Sequence, residues 1–181
     1  VHGLLLCHAS SPKAVKEFVK NSFYSFEKIE GLGQGQRGHG GQERAAHVWG
    51  ISQNNYLDKA KLWPLNSNGH VVLGVKLENK KAYLNANKIL KIKGLCFAEW
   101  GPGDMTMSMG YKNAYNPPYP KKIANMQNKL RNLIIKNNLF FLNLATVKDI
   151  KKIINMGTMI IKPHTLNVIN IGRRIFSKNE K

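Results

Sequence analysis

Only ten of the 181 residues are acidic, so the position of each carboxylate carries information. Glu78 directly follows the apolar run Val71–Leu77, and Asp104 comes 26 residues later, a few positions past the run Gly94–Glu99. That separation is about one strand–helix–strand repeat, which sets both side chains at the C-terminal end of neighbouring parallel strands, where sites of such sheets are built. Two carboxylates meeting there can hold Mg2+ or Mn2+ and leave the other octahedral positions to substrate oxygens and water. Helix-capping or surface acids would show the same two residues, so the spacing alone does not decide.

The elements that must position the pair can be read from hydrophobic pattern and punctuation. Gly3–Cys7 is a short apolar strand, and Ser11-Pro12 opens a helix over Pro12–Ser22, with Ala14, Val15, Phe18 and Val19 on one face. Residues 31–47 form a glycine-rich loop. It lacks the Gly-Lys-Ser/Thr ending of a nucleotide-binding loop, and so reads as a mobile loop near a site, with His39, Arg37 and Arg44 as possible contacts or plain surface residues. Val48–Lys61 reads as one helix and Asn66–Gly69 as a turn. The rest alternates: strand Val71–Leu77, helix Lys80–Lys91, strand Gly94–Glu99, helix Pro120–Asn137, strand Leu139–Leu144, helix Val147–Asn155, strand Thr158–Lys162, helix Leu166–Ser177. Strands and helices in that rhythm predict an α/β fold with a parallel sheet, and unbroken apolar strands predict a sheet covered on both faces. The count is five strands in a single domain spanning 1–181, with a C-terminal helix and tail at 166–181.

Composition excludes several classes. No stretch approaches about 18 uninterrupted apolar residues, so no membrane-spanning helix is predicted. The start at Val1-His2-Gly3 has no basic segment before its apolar run and does not read as a signal peptide. Cys7 and Cys96 each sit in an apolar run and are expected as buried free thiols of a cytoplasmic protein. The net charge of +18 invites a nucleic-acid partner. Yet only Arg37, Arg44, Arg131, Arg173 and Arg174 among the 28 basic residues are arginines, and the 23 lysines are scattered among Asn and Ile. Specific phosphate and base recognition leans on the guanidinium fork, so the pattern reads as a lysine-rich solvated surface.

Around the acidic pair the sequence becomes specific. Val75-Lys76-Leu77-Glu78-Asn79, followed by Glu99-Trp100-Gly101-Pro102-Gly103-Asp104, Met107-Ser108-Met109-Gly110-Tyr111 and Pro117-Pro118-Tyr119-Pro120, resembles the HpcH/HpaI aldolase/citrate lyase family. Members carry one strand ending in Gln-Ile-Glu and another ending in Gly-Pro-x-Asp. The resemblance runs from the first strand to Thr158–Lys162 and implies strands 4 to 8 of a (β/α)8 TIM barrel of the phosphoenolpyruvate/pyruvate superfamily, N-terminally incomplete. It further implies a class II pyruvate aldolase in which Glu78 and Asp104 bind Mg2+ (or Mn2+ or Co2+), the backbone at Pro102 and Gly103 meets the carboxylate of pyruvate, and an aldehyde is the second substrate. A homo-oligomer that exchanges its last helix belongs to the same implication.

Two departures from the family accompany it. Lys76 stands where the family has Gln; a lysine only donates and brings charge, so it either contacts substrate or pairs with a carboxylate. The family's base His, its activating Asp and its oxyanion Arg fall on earlier strands, and none of the six His here matches that base. His8, at the end of the first strand, is the catalytic candidate, and a chain lacking the base region is expected to be impaired. Glu99 is read as a structural partner. The alternatives are an acyl-CoA lyase of the citrate lyase or malyl-CoA type, a polyanion-binding former enzyme, and an inactive fragment.

Overall fold

The computed structural model describes residues 1–114 and 116–178. The chain runs β1 (Gly3–Leu6), α1 (Pro12–Lys20), β2 (Lys28–Ile29), β3 (Gly33–Gln34), α2 (Gln42–Trp49), α3 (Gln53–Lys59), β4 (Leu62–Trp63), β5 (Val71–Leu77), α4 (Lys80–Ile89), β6 (Leu95–Trp100), α5 (Pro102–Ser108), α6 (Lys121–Lys136), β7 (Phe140–Ala145), α7 (Ile150–Asn155), β8 (Thr158–Pro163) and α8 (Leu166–Lys178). Positions 179–181 of the tail anticipated at 166–181 lie outside the described residues. Among the described residues no helix is long and apolar enough to cross a membrane.

The five longer strands are all parallel, in the order β1-β5-β6-β7-β8, with β4 paired to the start of β5. This is the α/β sheet of a partial barrel. One side is packed by helices: Val15 and Val19 of α1, Ala82, Ala86 and Ile89 of α4, and Ile123, Leu130 and Ile134 of α6 are buried with Leu73, Val75 and Leu77 of β5. These are the 3.6-residue stripes that amphipathic helices bring to a sheet, although Ala14, expected on the buried face of α1, is exposed. A smaller cluster, Ala145, Ile150, Ile153 and Val168, joins β7, α7 and α8. Burial on both faces holds for β6, every residue of which is buried, but not for the outer strands. Leu4 and Leu5 of β1 are 42% and 36% exposed, because β1 and β8 end the sheet and, among the described residues, no further strand pairs beyond them.

Three expectations are corrected. The helix read over Val48–Lys61 is two helices, α2 and α3. Gly50 closes α2 in a left-handed conformation (φ 67°), and Ser52 then opens α3 by accepting the Asn55 N–H at 3.2 Å. The stretch 31–47 is largely structured: Gly33–Gln34 pairs with Lys28–Ile29, and α2 already begins at Gln42. Cys96 is buried, but Cys7 is exposed at the end of the edge strand β1.

Candidate metal centre at the C-terminal rim

Glu78 leaves β5 one residue before Asn79, whose side chain caps α4 by accepting the Ala82 N–H at 2.8 Å. That cap fixes where the strand ends, and hence where the Glu78 side chain starts. The carboxyl is 1% exposed. Its Oε1 accepts the His8 backbone N–H at 2.8 Å, and its Oε2 lies 2.9 Å from the Lys76 ammonium. That ammonium sits off the line of a hydrogen bond, so Oε2 has a charged neighbour but no directed donor. Burial pushes the Glu78 carboxyl upward, but Lys76, the His8 N–H and Asp104 outweigh it and hold the group below its usual range. Burial alone would lower the Lys76 ammonium; Glu78, with Glu99 behind it, outweighs that and raises it, keeping the lysine charged.

Asp104 arrives from β6 through a tight corner. Gly101 precedes α5 and Pro102 occupies its first turn, a place where the missing N–H costs nothing. Gly101 lies against the site so closely that a Cβ there would fall 2.4 Å from Glu78 Cβ and 2.7 Å from its Oε2. Only glycine allows the approach. Asp104 then stands in the first turn of α5, where the helix dipole favours a negative charge. A Cβ on Gly103 would meet nothing within 4 Å, so that position opens onto free space.

The outcome is convergence. His8, Glu78 and Asp104 each offer one ligand atom, and these atoms all lie within 4.8 Å of one another, at one end of the sheet. The His8 ring is exposed, with Nδ1 4.0 Å from Glu78 Oε1, and its backbone is left-handed (φ 51°) where β1 turns away. The three suit a divalent ion: two carboxylates supply hard oxygen ligands, a His nitrogen widens the choice towards Mn2+ or Co2+, and Glu78 Oε2 carries only the Lys76 ion pair, with no aligned hydrogen bond among the described residues.

A cleft of about 560 Å³ spreads from this point, lined by Lys76, Pro102 and Gly103 together with the pair. Of the ten acidic residues in the chain, Glu78, Glu99, Asp104 and Asp149 all line it, which concentrates negative potential in an otherwise strongly basic molecule. Lys76 itself points at Glu78, the ion-pair outcome of the two open for it. Glu99 is 9% exposed and pairs in register with Lys76; burial pushes its carboxyl upward against the pull of Lys76 and Lys162. Asn143, Lys162 and His164, at the ends of β7 and β8, line the same cleft and were not singled out from sequence. Their place at strand ends was the available signal.

The glycine-rich segment is elsewhere. Arg37 and Gly38 share a depression with Val1, Leu4 and Val71, at the opposite, N-terminal end of the strands. Arg37 stacks over Tyr24 at 4.4 Å and donates to the Tyr56 hydroxyl at 2.8 Å, so it is a packing residue. His39 and Arg44 are exposed on that side. The expectation of a loop near the site is therefore corrected.

No family model matches the sequence, and no curated protein matches it. Solved structures do. An HpcH/HpaI aldolase/citrate lyase family protein from Burkholderia cenocepacia aligns with 99% of this chain and 65% of its own, with TM-score 0.72 and 16% identity. An HpcH/HpaI aldolase from Desulfitobacterium hafniense aligns with 100% of this chain and 64% of its own, with TM-score 0.66 and 16% identity. The protein CitE from Mycobacterium tuberculosis, solved with magnesium and acetoacetate, aligns with 57% of this chain and 48% of its own, with TM-score 0.50 and 10% identity. The chain spans just under two-thirds of the length of the first two. Over that span, it has the fold of the HpcH/HpaI aldolase/citrate lyase proteins.

Proposed function

We propose that this chain carries the metal-holding rim of a divalent-metal-dependent carbon–carbon lyase, an aldolase that makes or cleaves 4-hydroxy-2-oxo acids through the enolate of pyruvate. One observation carries the reading: Glu78, Asp104 and His8 bring ligand atoms within 4.8 Å of one another at the strand ends. The fold shared with HpcH/HpaI aldolases, and the magnesium in the CitE structure, support it.

In this reading Glu78 and Asp104 hold Mg2+, Mn2+ or Co2+. When bound, the ion supplies Lewis acidity that polarises the keto group of pyruvate and spreads the enolate charge. Glu78 is kept ionised and aimed by Lys76 and the His8 N–H. Pro102 and Gly103, with open space above Gly103, receive the substrate carboxylate against the first turn of α5. With Glu78 and Asp104 holding the ion, the His8 ring, exposed at the rim beside Glu78, is left off the metal in this reading and is assigned to carry a proton between solvent and the pyruvate methyl group. Loss of that proton leaves the C–H electron pair on the enolate carbon, which forms the new bond to the aldehyde carbon; cleavage is the reverse. The same reading takes the protein as a cytoplasmic homo-oligomer.

The test is Mn2+ binding to the chain, read by electron paramagnetic resonance, together with deuterium exchange into the pyruvate methyl group followed by NMR. The expected result is one bound ion, lost in Glu78→Gln and Asp104→Asn, and metal-dependent exchange. Failure to bind any ion overturns the reading. Exchange seen only with acyl-CoA substrates would move the activity to the acyl-CoA lyase class.

A further inference from the structure

Lys76 does more than fill the place of a neutral residue. Its ammonium lies 2.9 Å from Glu78 Oε2, with the side chain only 25% exposed. The contact is built into the corner: a Cβ on residue 101 would fall 2.7 Å from that same oxygen and 3.1 Å from Lys76 Cε, so Gly101 is what lets the lysine lie alongside the carboxylate. A divalent ion held by Glu78 and Asp104 would place two positive charges within a few ångströms of this ammonium, in a cleft whose walls screen poorly. The two cations cannot share the oxygen comfortably. Beside Lys76, on β6, stands a second carboxylate: Glu99 is its register partner, leaves the sheet on the same face, and makes no ion pair of its own among the described residues.

We propose that Lys76 is an internal counter-ion that a divalent metal displaces from Glu78, and that Glu99 receives the displaced ammonium. The site then has two states, lysine on Glu78 without metal and lysine on Glu99 with it. The proposal rests on the metal reading above, and concerns how tightly the ion is held.

The experiment titrates Mn2+ into the wild-type chain and into Lys76→Gln, Lys76→Met, Glu99→Gln and Lys76→Gln/Glu99→Gln, reading free Mn2+ by electron paramagnetic resonance, with circular dichroism to confirm each fold. Removing the ammonium is expected to tighten binding about tenfold or more in both lysine variants. Glu99→Gln is expected to weaken it several-fold when Lys76 is present and by clearly less when it is absent, since only then has the lysine lost its second partner. Equal or weaker binding in both lysine variants overturns the counter-ion role. A Glu99 effect of the same size in both backgrounds overturns the transfer, because it is what an unlinked charge would give. If neither the wild type nor the lysine variants bind Mn2+, the metal reading itself falls.

Discussion

Two glycine-rich stretches of this chain have opposite fates. Residues 31–41 hold six glycines yet lie at the N-terminal end of the sheet, where Gly35 packs under Phe23 and Tyr24 and Arg37 is spent on aromatic rings and a hydroxyl. Gly101-Pro102-Gly103-Asp104 is far shorter, but follows β6 at the C-terminal end and forms the wall of the acidic cleft. Glycine content marks where a backbone must bend or come close. Which end of the parallel strands it occupies decides whether a ligand can be there.

The sharpest way to break that contrast is to add one methyl group in each region. Gly35→Ala would bring a Cβ 2.2 Å from the Tyr24 carbonyl oxygen, and Gly101→Ala would bring one 2.4 Å from Glu78 Cβ. Both are expected to lower stability by roughly 2–4 kcal/mol in urea unfolding. Only the second should also abolish Mn2+ binding, whereas Gly103→Ala, with open space around it, should leave the fold intact. Next in size, Arg37→Ala removes the stack on Tyr24 and the bonds to Tyr56 and Ala60. A loss of about 1–3 kcal/mol with unchanged Mn2+ affinity is expected. A fall in affinity would return the glycine-rich segment to the site.

Glu99→Gln sharpens the comparison from the side of the rim. Burial raises the folded-state pKa of Glu99, so its contribution to stability is present below the ordinary carboxylate value and is lost as pH rises through the raised one. The Gln variant lacks that loss. Its melting temperature should exceed that of wild type at pH 8 and converge with it in mild acid; a constant difference across pH would refute the assignment. The smallest effect concerns the thiols. Cys7 is exposed and should react with a thiol reagent at once, whereas burial pushes Cys96 up to about 11 and should protect it until the chain unfolds.

The five long strands and their helices were legible in the sequence because each is a run of apolar residues bounded by Gly, Pro, Ser or Asn. Glu78 and Asp104 were legible because strand ends can be counted. The two-residue strands β2, β3 and β4 were not: their pairing depends on partners, and two residues carry no period. The break between α2 and α3 rests on one left-handed glycine inside an otherwise helical pattern. The exposure of Cys7 and Leu5 follows from β1 standing at the sheet's edge, which an apolar run does not announce. Lys76 was noticed as an odd residue, but its grip on Glu78 depends on the corner after the neighbouring strand, since Gly101, between β6 and α5, supplies the room.

That grip bears on how the molecule comes to exist at all. A cluster of bare carboxylates inside a protein normally has to wait for its ion before the chain can collapse around it. Here the deepest acid is already matched by an amine and a main-chain N–H from its own polypeptide. The fold therefore does not have to wait for loading: after treatment with EDTA the purified protein should still melt as a folded chain, its melting temperature lowered only by the stabilisation that a bound ion adds.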